Sequence, residues 1–424
     1  MSGVAAGRFA PGHLGELTQI VPFEMVDSVL EATSSARSRV RELPSRVVVY
    51  LLLAAALCEG MDYTQVWARL VAGVGSVVAS PGSSALSQAR RRVGPKPLRA
   101  LFDLVKGPAA GAVRWRGLLV CALDGTCLYA PASDANLAAY NRHRAGPNGD
   151  SGFPMLRLVA VVACGTRTVV DAVFGSDRCG EITYAPKLFS CLRAGMLLLA
   201  DRNFDAATII ESAAATGAQL LIRGQGRHKM SVAARLANGS WLTRIGTVTV
   251  RVIDADIVIT GTGDRQAVRC VERYQLITTL VDEKFYPAKD LAVLYHQKWE
   301  IETSCAELKS TMLGGRVLRA RQPELVTQEI YALLIAYQAL RTAIADATLA
   351  TGAISADRGS FTVALNTARD QLVRAASIIA GTIVDLVVQI GRAILAAPLP
   401  ARRARTSPRV VKRAISKHLS YRPR

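Results

Sequence analysis

The sequence predicts an α/β protein: a mixed sheet flanked by helices, with a β-rich insert and an all-α N-terminal domain. Three observations lead there. Apolar residues recur at helical spacing, between proline and glycine boundaries, up to about residue 115. From Leu118 the pattern changes to short apolar runs, first as a hairpin and then alternating with helices. Between residues 223 and 284 that alternation gives way to strand signals alone.

Composition sets the bounds. The chain has 424 residues, 50% of them hydrophobic, enough for two or three domains with a sizeable core. Its formal charge of +19 points first to nucleic acid as a partner, and less to an anionic membrane surface. The 8 Cys are scattered, without a C-x-x-C pair, which argues against a structural zinc site and a secreted disulfide framework. A reduced cytoplasm is the expected location. Residues 1–20 lack the apolar core of a signal peptide. The runs Val47–Cys58 and Ala375–Val384 are too short to span a bilayer, so no membrane role is expected. No phosphate-binding G-x-x-x-x-G-K-[ST] loop appears, which argues against an ATP-driven motor.

Taken in order, helices are expected over Pro22–Thr33, Ser45–Leu57 and Tyr63–Val71, then a turn-rich connector. A fourth helix runs from Ser83 or Ser84 to Val93, stopped by Gly94, Pro95 and Pro97. It carries Arg90, Arg91 and Arg92, which either contact DNA, as in a helix-turn-helix-like reader, or solvate a surface helix. Strands follow at Leu118–Leu123, Met155–Ala163, Thr168–Phe174, Met196–Ala200 and Gln219–Ile222, with helical pieces at Lys187–Arg193 and Ala206–Ala215. Asp124 and Asp201 each sit where a buried strand gives out into a loop, a common place for ligand sites in open sheets. In the insert, Val248, Val250 and Val252 alternate with Thr249 and Arg251, and a turn at Gly261–Asp264 separates two further strands. Trp241 there offers a surface for stacking an unpaired base, or caps the insert's own core. Long helices are expected over Pro323–Ala345 and within Phe361–Ala396. The tail 401–424 has nine Lys or Arg and no acid, which suits salt-sensitive attraction to phosphates. The expected domains are 1–115, 116–345 with the insert at about 223–284, and 346–424.

The most informative stretch is Tyr295–Lys309, Y-H-Q-K-W-E-I-E-T-S-C-A-E-L-K. At about 100° per residue, Tyr295, Lys298, Glu302 and Lys309 fall within roughly 60° of one another, with Glu300 and Glu307 on the far side. One face thus carries an aromatic hydroxyl, a carboxylate and two cations. That mixture suits a metal-bound phosphate, and it also suits a solvated face with ordinary charge pairs. Asp124, Asp201 and Glu302 could together hold a pair of hard divalent ions. Taken singly, Asp124 is also a common turn former, Asp201 a common neighbour of a helix start, and Asp205 a rival to it.

The spacing Tyr, two residues, Lys, three residues, Glu, six residues, Lys resembles the signature of the insertion-sequence-four group of DDE transposases. The flanking L-R-A-R-Q-P-E-L-V-T-Q-E from Leu318 is similar too, and the resemblance runs from about His13 to Tyr337. The group has Arg where this chain has Lys298; Lys keeps the charge without the planar two-pronged grip. The resemblance implies a ribonuclease-H-like catalytic core using Mg²⁺, with Mn²⁺ as a substitute, held by Asp124, Asp201 and Glu302. It implies that Tyr295, Lys298 and Lys309 grip terminal phosphates; Arg202 either adds a further phosphate contact or faces solvent. It implies cut-and-paste excision and strand transfer of an insertion sequence, through a synaptic homodimer on double-stranded DNA: the element's terminal inverted repeats and a target. A catalytically inactive, transposase-derived DNA-binding protein is the alternative.

Overall fold

Strand pairing decides where the candidate acids meet. A computed structural model of the chain describes residues 14–34, 43–72, 80–144, 150–225, 230–263, 266–352, 354–375 and 389–400. The tail 401–424 and the connector at 73–79 lie outside the described residues. The chain forms two units, one from Ala112–Cys127 and Tyr140–Ser304, the other from Met1–Gly111, Leu128–Ala139 and Cys305–Leu399.

The first unit is built on a sheet of strands β1 (Arg114–Trp115), β2 (Leu118–Tyr129), β3 (Arg142–Arg144), β4 (Asp150–Ala163), β5 (Val169–Ser176), β6 (Met196–Ala200), β7 (Gln219–Arg223), β8 (Ala234–Arg235), β9 (Trp241–Ile245), β10 (Val248–Gly263) and β11 (Gln266–Thr278). Its path is β3-β4-β2-β6-β7-β11-β10-β9-β8, with β5 paired to β4 and β1 to β2. The central order β5-β4-β2-β6-β7 is ribonuclease-H-like. β4 and β5 form an antiparallel hairpin, while β2, β6 and β7 run parallel. Parallel neighbours need a crossover, and the helix Ala207–Ala214 provides it between β6 and β7. Parallel strands are covered on both faces, which is why Leu119–Leu123 and Met196–Ala200 are buried without alternation. On one face of this ladder, Leu119, Cys121 and Leu123 pack with Val159, Val161, Leu198, Leu220 and Ile222 in one core.

The insert is not a separate layer. β11 pairs antiparallel with β7, Ile277 opposite Ile222, so the long β10–β11 hairpin continues the same sheet. Inside it, fully buried Arg251 donates from Nε to Ser240 Oγ at 2.8 Å and from Nη1 to the Tyr286 carbonyl at 2.6 Å. Trp241 is half-buried opposite Val252, which favours its role as a cap on the insert's core.

The second unit is helical: Phe23–Ala32, Ser45–Leu57, Tyr63–Leu70, Ser83–Val93, Lys96–Val105, Pro323–Thr351, Phe361–Ala375 and Gln389–Ala396. Asp62 caps Tyr63–Leu70 by accepting from the Thr64 and Gln65 amides in a reciprocal capping box. Helix Ser83–Val93 ends before Gly94 and Pro95 as expected, and a further helix, Lys96–Val105, which the sequence reading does not include, follows Pro95 with Pro97 in its first turn. Both prolines lie at its start, where a missing N–H is harmless. Helix Ser45–Leu57 is buried from Val47 to Leu57, and the 29-residue helix Pro323–Thr351 packs on it and on Lys96–Val105. An apolar helix buried all round needs such a cover, so the N-terminal and C-terminal helices share one unit.

Candidate active site

The parallel register sets the first two acids side by side. Leu123 pairs with Ala200, so Asp124 and Asp201 are the next residues on adjacent strands. Asp124 stands within β2, which continues to Tyr129, and not at a strand end as the Asp-Gly-Thr sequence suggests. Its Oδ1 accepts from the Gly125 amide at 2.8 Å, leaving Oδ2 turned elsewhere. Asp201 does end its strand and caps the short 3-10 turn Arg202–Phe204, accepting from the Asn203 amide at 2.8 Å. Asp205, its rival, is buried and accepts from the Gln225 amide at 2.7 Å, which ties the ends of β6 and β7.

Glu302 comes from a helical stretch that is not one straight helix. Helix Ala288–Tyr295 passes through a 3-10 turn, His296–Lys298, into helix Trp299–Ala306 and then a π-helical stretch, Glu307–Met312. Changes of helical type rotate side chains away from ideal positions. Lys309, half-buried, lies on the π segment, in the helical unit.

The centre of the constellation is Lys298. It is only 5% exposed, and its Nζ donates to Asp124 Oδ2 at 2.7 Å and to Glu302 Oε1 at 3.4 Å. Burial alone would push this ammonium down. The Asp124 charge and hydrogen bond, then the charges of Asp201 and Glu302, more than offset burial and hold it above the ordinary lysine range. All three acids thus act on one buried cation.

Tyr295 is placed differently from the phosphate contact expected of it. It is 8% exposed, and its hydroxyl donates to the Ala200 carbonyl at 3.0 Å. Burial first, then the Asp201 charge, pushes its hydroxyl well up, so it stays a neutral donor. It pins the end of β6 directly before Asp201. On the far side, Glu300 pairs with buried Arg167 at 2.5 Å, and Glu307 pairs with fully buried Arg341 and accepts from Tyr337 at 3.0 Å.

The remaining basic candidates separate. Arg202 is exposed, with its carbonyl taken by the Gln225 side-chain amide. Arg90, a candidate DNA contact, is 5% exposed, stacks 3.8 Å above the Tyr63 ring and bonds Gln328, so it packs in the core of the helical unit. Arg91 is exposed and Arg92 half-buried. One carboxylate near the site escapes the sequence reading. Glu181, at the start of Glu181–Tyr184, accepts from Arg157 Nη1 at 3.0 Å and from Asn203 Nδ2 at 3.4 Å. No spacing pattern marks it; only the fold brings it there.

The donor set fits a hard divalent ion, which prefers carboxylate oxygens. Among the described residues no three of His, Cys, Asp and Glu form a ready-made cage. The Lys298 ammonium lies between Asp124 and Glu302 and stands in for such a cation.

Residues 11–103 match the family described as insertion element 4 transposase N-terminal, and residues 115–339 match transposase DDE domain. The transposase InsG for insertion sequence element IS4 of Escherichia coli (strain K12) is 24% identical over 409 residues, 92% of this chain and 90% of that protein. A solved piggyBac transposase synaptic complex with hairpin DNA aligns over 93% of this chain and 86% of its own, at 11% identity and a TM-score of 0.47.

Proposed function

Since the chain belongs to the DDE transposase family, in its insertion element 4 branch, and is a DNA transposase, we propose that Asp124, Asp201 and Glu302 are its catalytic acids and Mg²⁺ its native ion. Enzymes of this family are metal-dependent polynucleotidyl transferases that act on DNA. The observation that carries the site assignment is the convergence of all three acids on the single buried ammonium of Lys298.

Divalent ions held by these carboxylates would supply activation of the attacking oxygen and neutralisation of the leaving one. The chain's own residues do the rest. The register of β2 against β6 aligns two of the acids, and Tyr295 holds the second strand end in place through the Ala200 carbonyl. Lys298 brings a positive charge to the point where a phosphate oxygen must be neutralised. Lys309, Arg202 and Arg91 contact DNA phosphates, and the basic tail adds sequence-independent affinity. The reaction is excision of an element at its terminal inverted repeats, followed by joining of the 3′ hydroxyls to target DNA. Pairing two ends implies two copies of the chain in the working complex. No helix among the described residues is long and apolar enough to cross a membrane.

The test is cleavage of a duplex carrying the element's inverted repeat, with Mg²⁺, by wild type and by Glu302→Gln. Wild type is expected to release a defined 3′ end; the variant is expected to bind the repeat without cutting. Binding without cutting by both proteins would replace this reading with that of an inactive DNA-binding relative.

A further inference from the structure

Glu181 belongs to neither Asp-bearing strand, yet it reaches the neighbours of both. On one side its carboxylate lies against Gly125, the residue after Asp124. A Cβ at position 125 would stand 2.7 Å from Glu181 Cγ and Cδ, far inside contact distance, so only glycine leaves this carboxylate room. On the other side Oε2 accepts from Asn203, whose own amide holds Asp201. Arg157 of β4 grips Oε1 and also pairs with Asp177, which fixes the carboxylate from behind. The Glu181 side chain is only 14% exposed. Burial, and then the charge of Asp124, push its carboxyl up; Arg157 opposes them, and Asp201 adds a smaller push.

We propose that Glu181 is a positioning residue for the divalent-cation site, bracing the backbone beside Asp124 and Asp201 against Arg157 so that their carboxylates stand at a fixed separation. This rests on the reading of Asp124, Asp201 and Glu302 as the cation ligands. Groups that orient metal ligands from outside typically contribute about 10- to 100-fold in metal affinity.

The test measures Mn²⁺ binding to the full chain by electron paramagnetic resonance, with metal-free thermal melting to show that each variant is folded. Wild type is expected to bind, and Asp124→Ala to lose that binding. Glu181→Ala is expected to bind Mn²⁺ about 10-fold or more weakly. Glu181→Gln, which keeps the shape and still accepts from Arg157, is expected to recover most of the affinity. Gly125→Ala, which displaces the carboxylate, is expected to weaken binding in wild type and to add nothing in Glu181→Ala, since the two share one contact. Wild-type affinity in Glu181→Ala, equal losses in the Gln and Ala variants, or a Gly125→Ala loss that persists without Glu181 would each overturn the proposal. Should wild-type binding prove indifferent to Asp124→Ala, the ligand assignment itself falls and this inference with it. A silent Glu181→Ala beside a sensitive Asp124→Ala removes this inference alone.

Discussion

Lys298 Nζ lies 2.7 Å from Asp124 Oδ2, with the two side chains 6% and 17% exposed. A cation of the protein's own thus occupies the ground that a divalent ion would share. Removing it leaves Asp124 beside Asp201 and Glu302 without compensation. Lys298→Met is expected to destabilise the metal-free protein by about 3 kcal/mol, the lower end for breaking a buried pair. Added Mg²⁺ should then raise the melting temperature of the variant more than that of wild type. An equal rise in both proteins would show that ammonium and metal do not share this space.

Tyr295→Phe separates two roles for the hydroxyl. Its donation to the buried Ala200 carbonyl predicts a stability loss of about 1 kcal/mol by chemical denaturation. Affinity for the element's end should stay within about twofold of wild type, well under the loss expected for a charge-assisted phosphate contact. A large drop in affinity at unchanged stability would place the hydroxyl on the DNA instead.

The Glu307–Arg341 pair predicts a structural effect remote from chemistry. Arg341 is fully buried, its Nε donates to Glu307 Oε2 at 3.0 Å, and Tyr337 donates to the same oxygen. Arg341→Ala is expected to cost about 3–5 kcal/mol because it strands a buried carboxylate. The double variant Glu307→Gln/Arg341→Met should cost clearly less than the sum of the single changes. Additivity in denaturant melts would contradict the pairing.

Arg90 and Arg91 should behave oppositely despite adjacency. Arg90→Ala removes a side chain packed on Tyr63 and Gln328 and is expected to lower stability by about 2 kcal/mol. Arg91→Ala is expected to leave stability within about 0.5 kcal/mol and to weaken DNA binding. Filter binding and melting on the two variants check this directly.

Salt should expose the tail. Truncation after Pro400 removes nine basic residues. Each phosphate that the protein no longer neutralises lowers the slope of log affinity against log salt by about 0.9. A change of about 2 or more is expected, and an unchanged slope would mean that the tail does not touch DNA.

The sequence is most legible where periodicity and burial coincide. Met196–Ala200 reads as a strand and is one, because a parallel strand covered on both faces is a continuous apolar run. Asp124 stands out as an acid, but its element is misread. Asp-Gly-Thr is turn chemistry locally, whereas β2 lies beside the 14-residue β4 and carries on through these residues as strand. The fate of Arg90 is legible in principle: it shares one helical stripe with Leu86, Ala89 and Val93, all buried. Spacing picks out Tyr295 and Lys298 but not their partners, since Ala200 and Asp124 lie far back in the chain. Glu181 is beyond reach, because its significance rests on Gly125 and Asn203, which only the folded sheet brings to it.

Helix Ser45–Leu57 is made early in the chain and covered late, by Pro323–Thr351. A nascent chain therefore carries this apolar helix, covered only by its N-terminal neighbours Phe23–Ala32, Tyr63–Leu70 and Ser83–Val93, through about 270 residues of synthesis before its remaining cover is made, a span set by Leu57 and Pro323. A frameshift or stop in that span leaves Ser45–Leu57 without part of its cover, and the truncated product is expected to be more prone to aggregation and degradation than the whole chain.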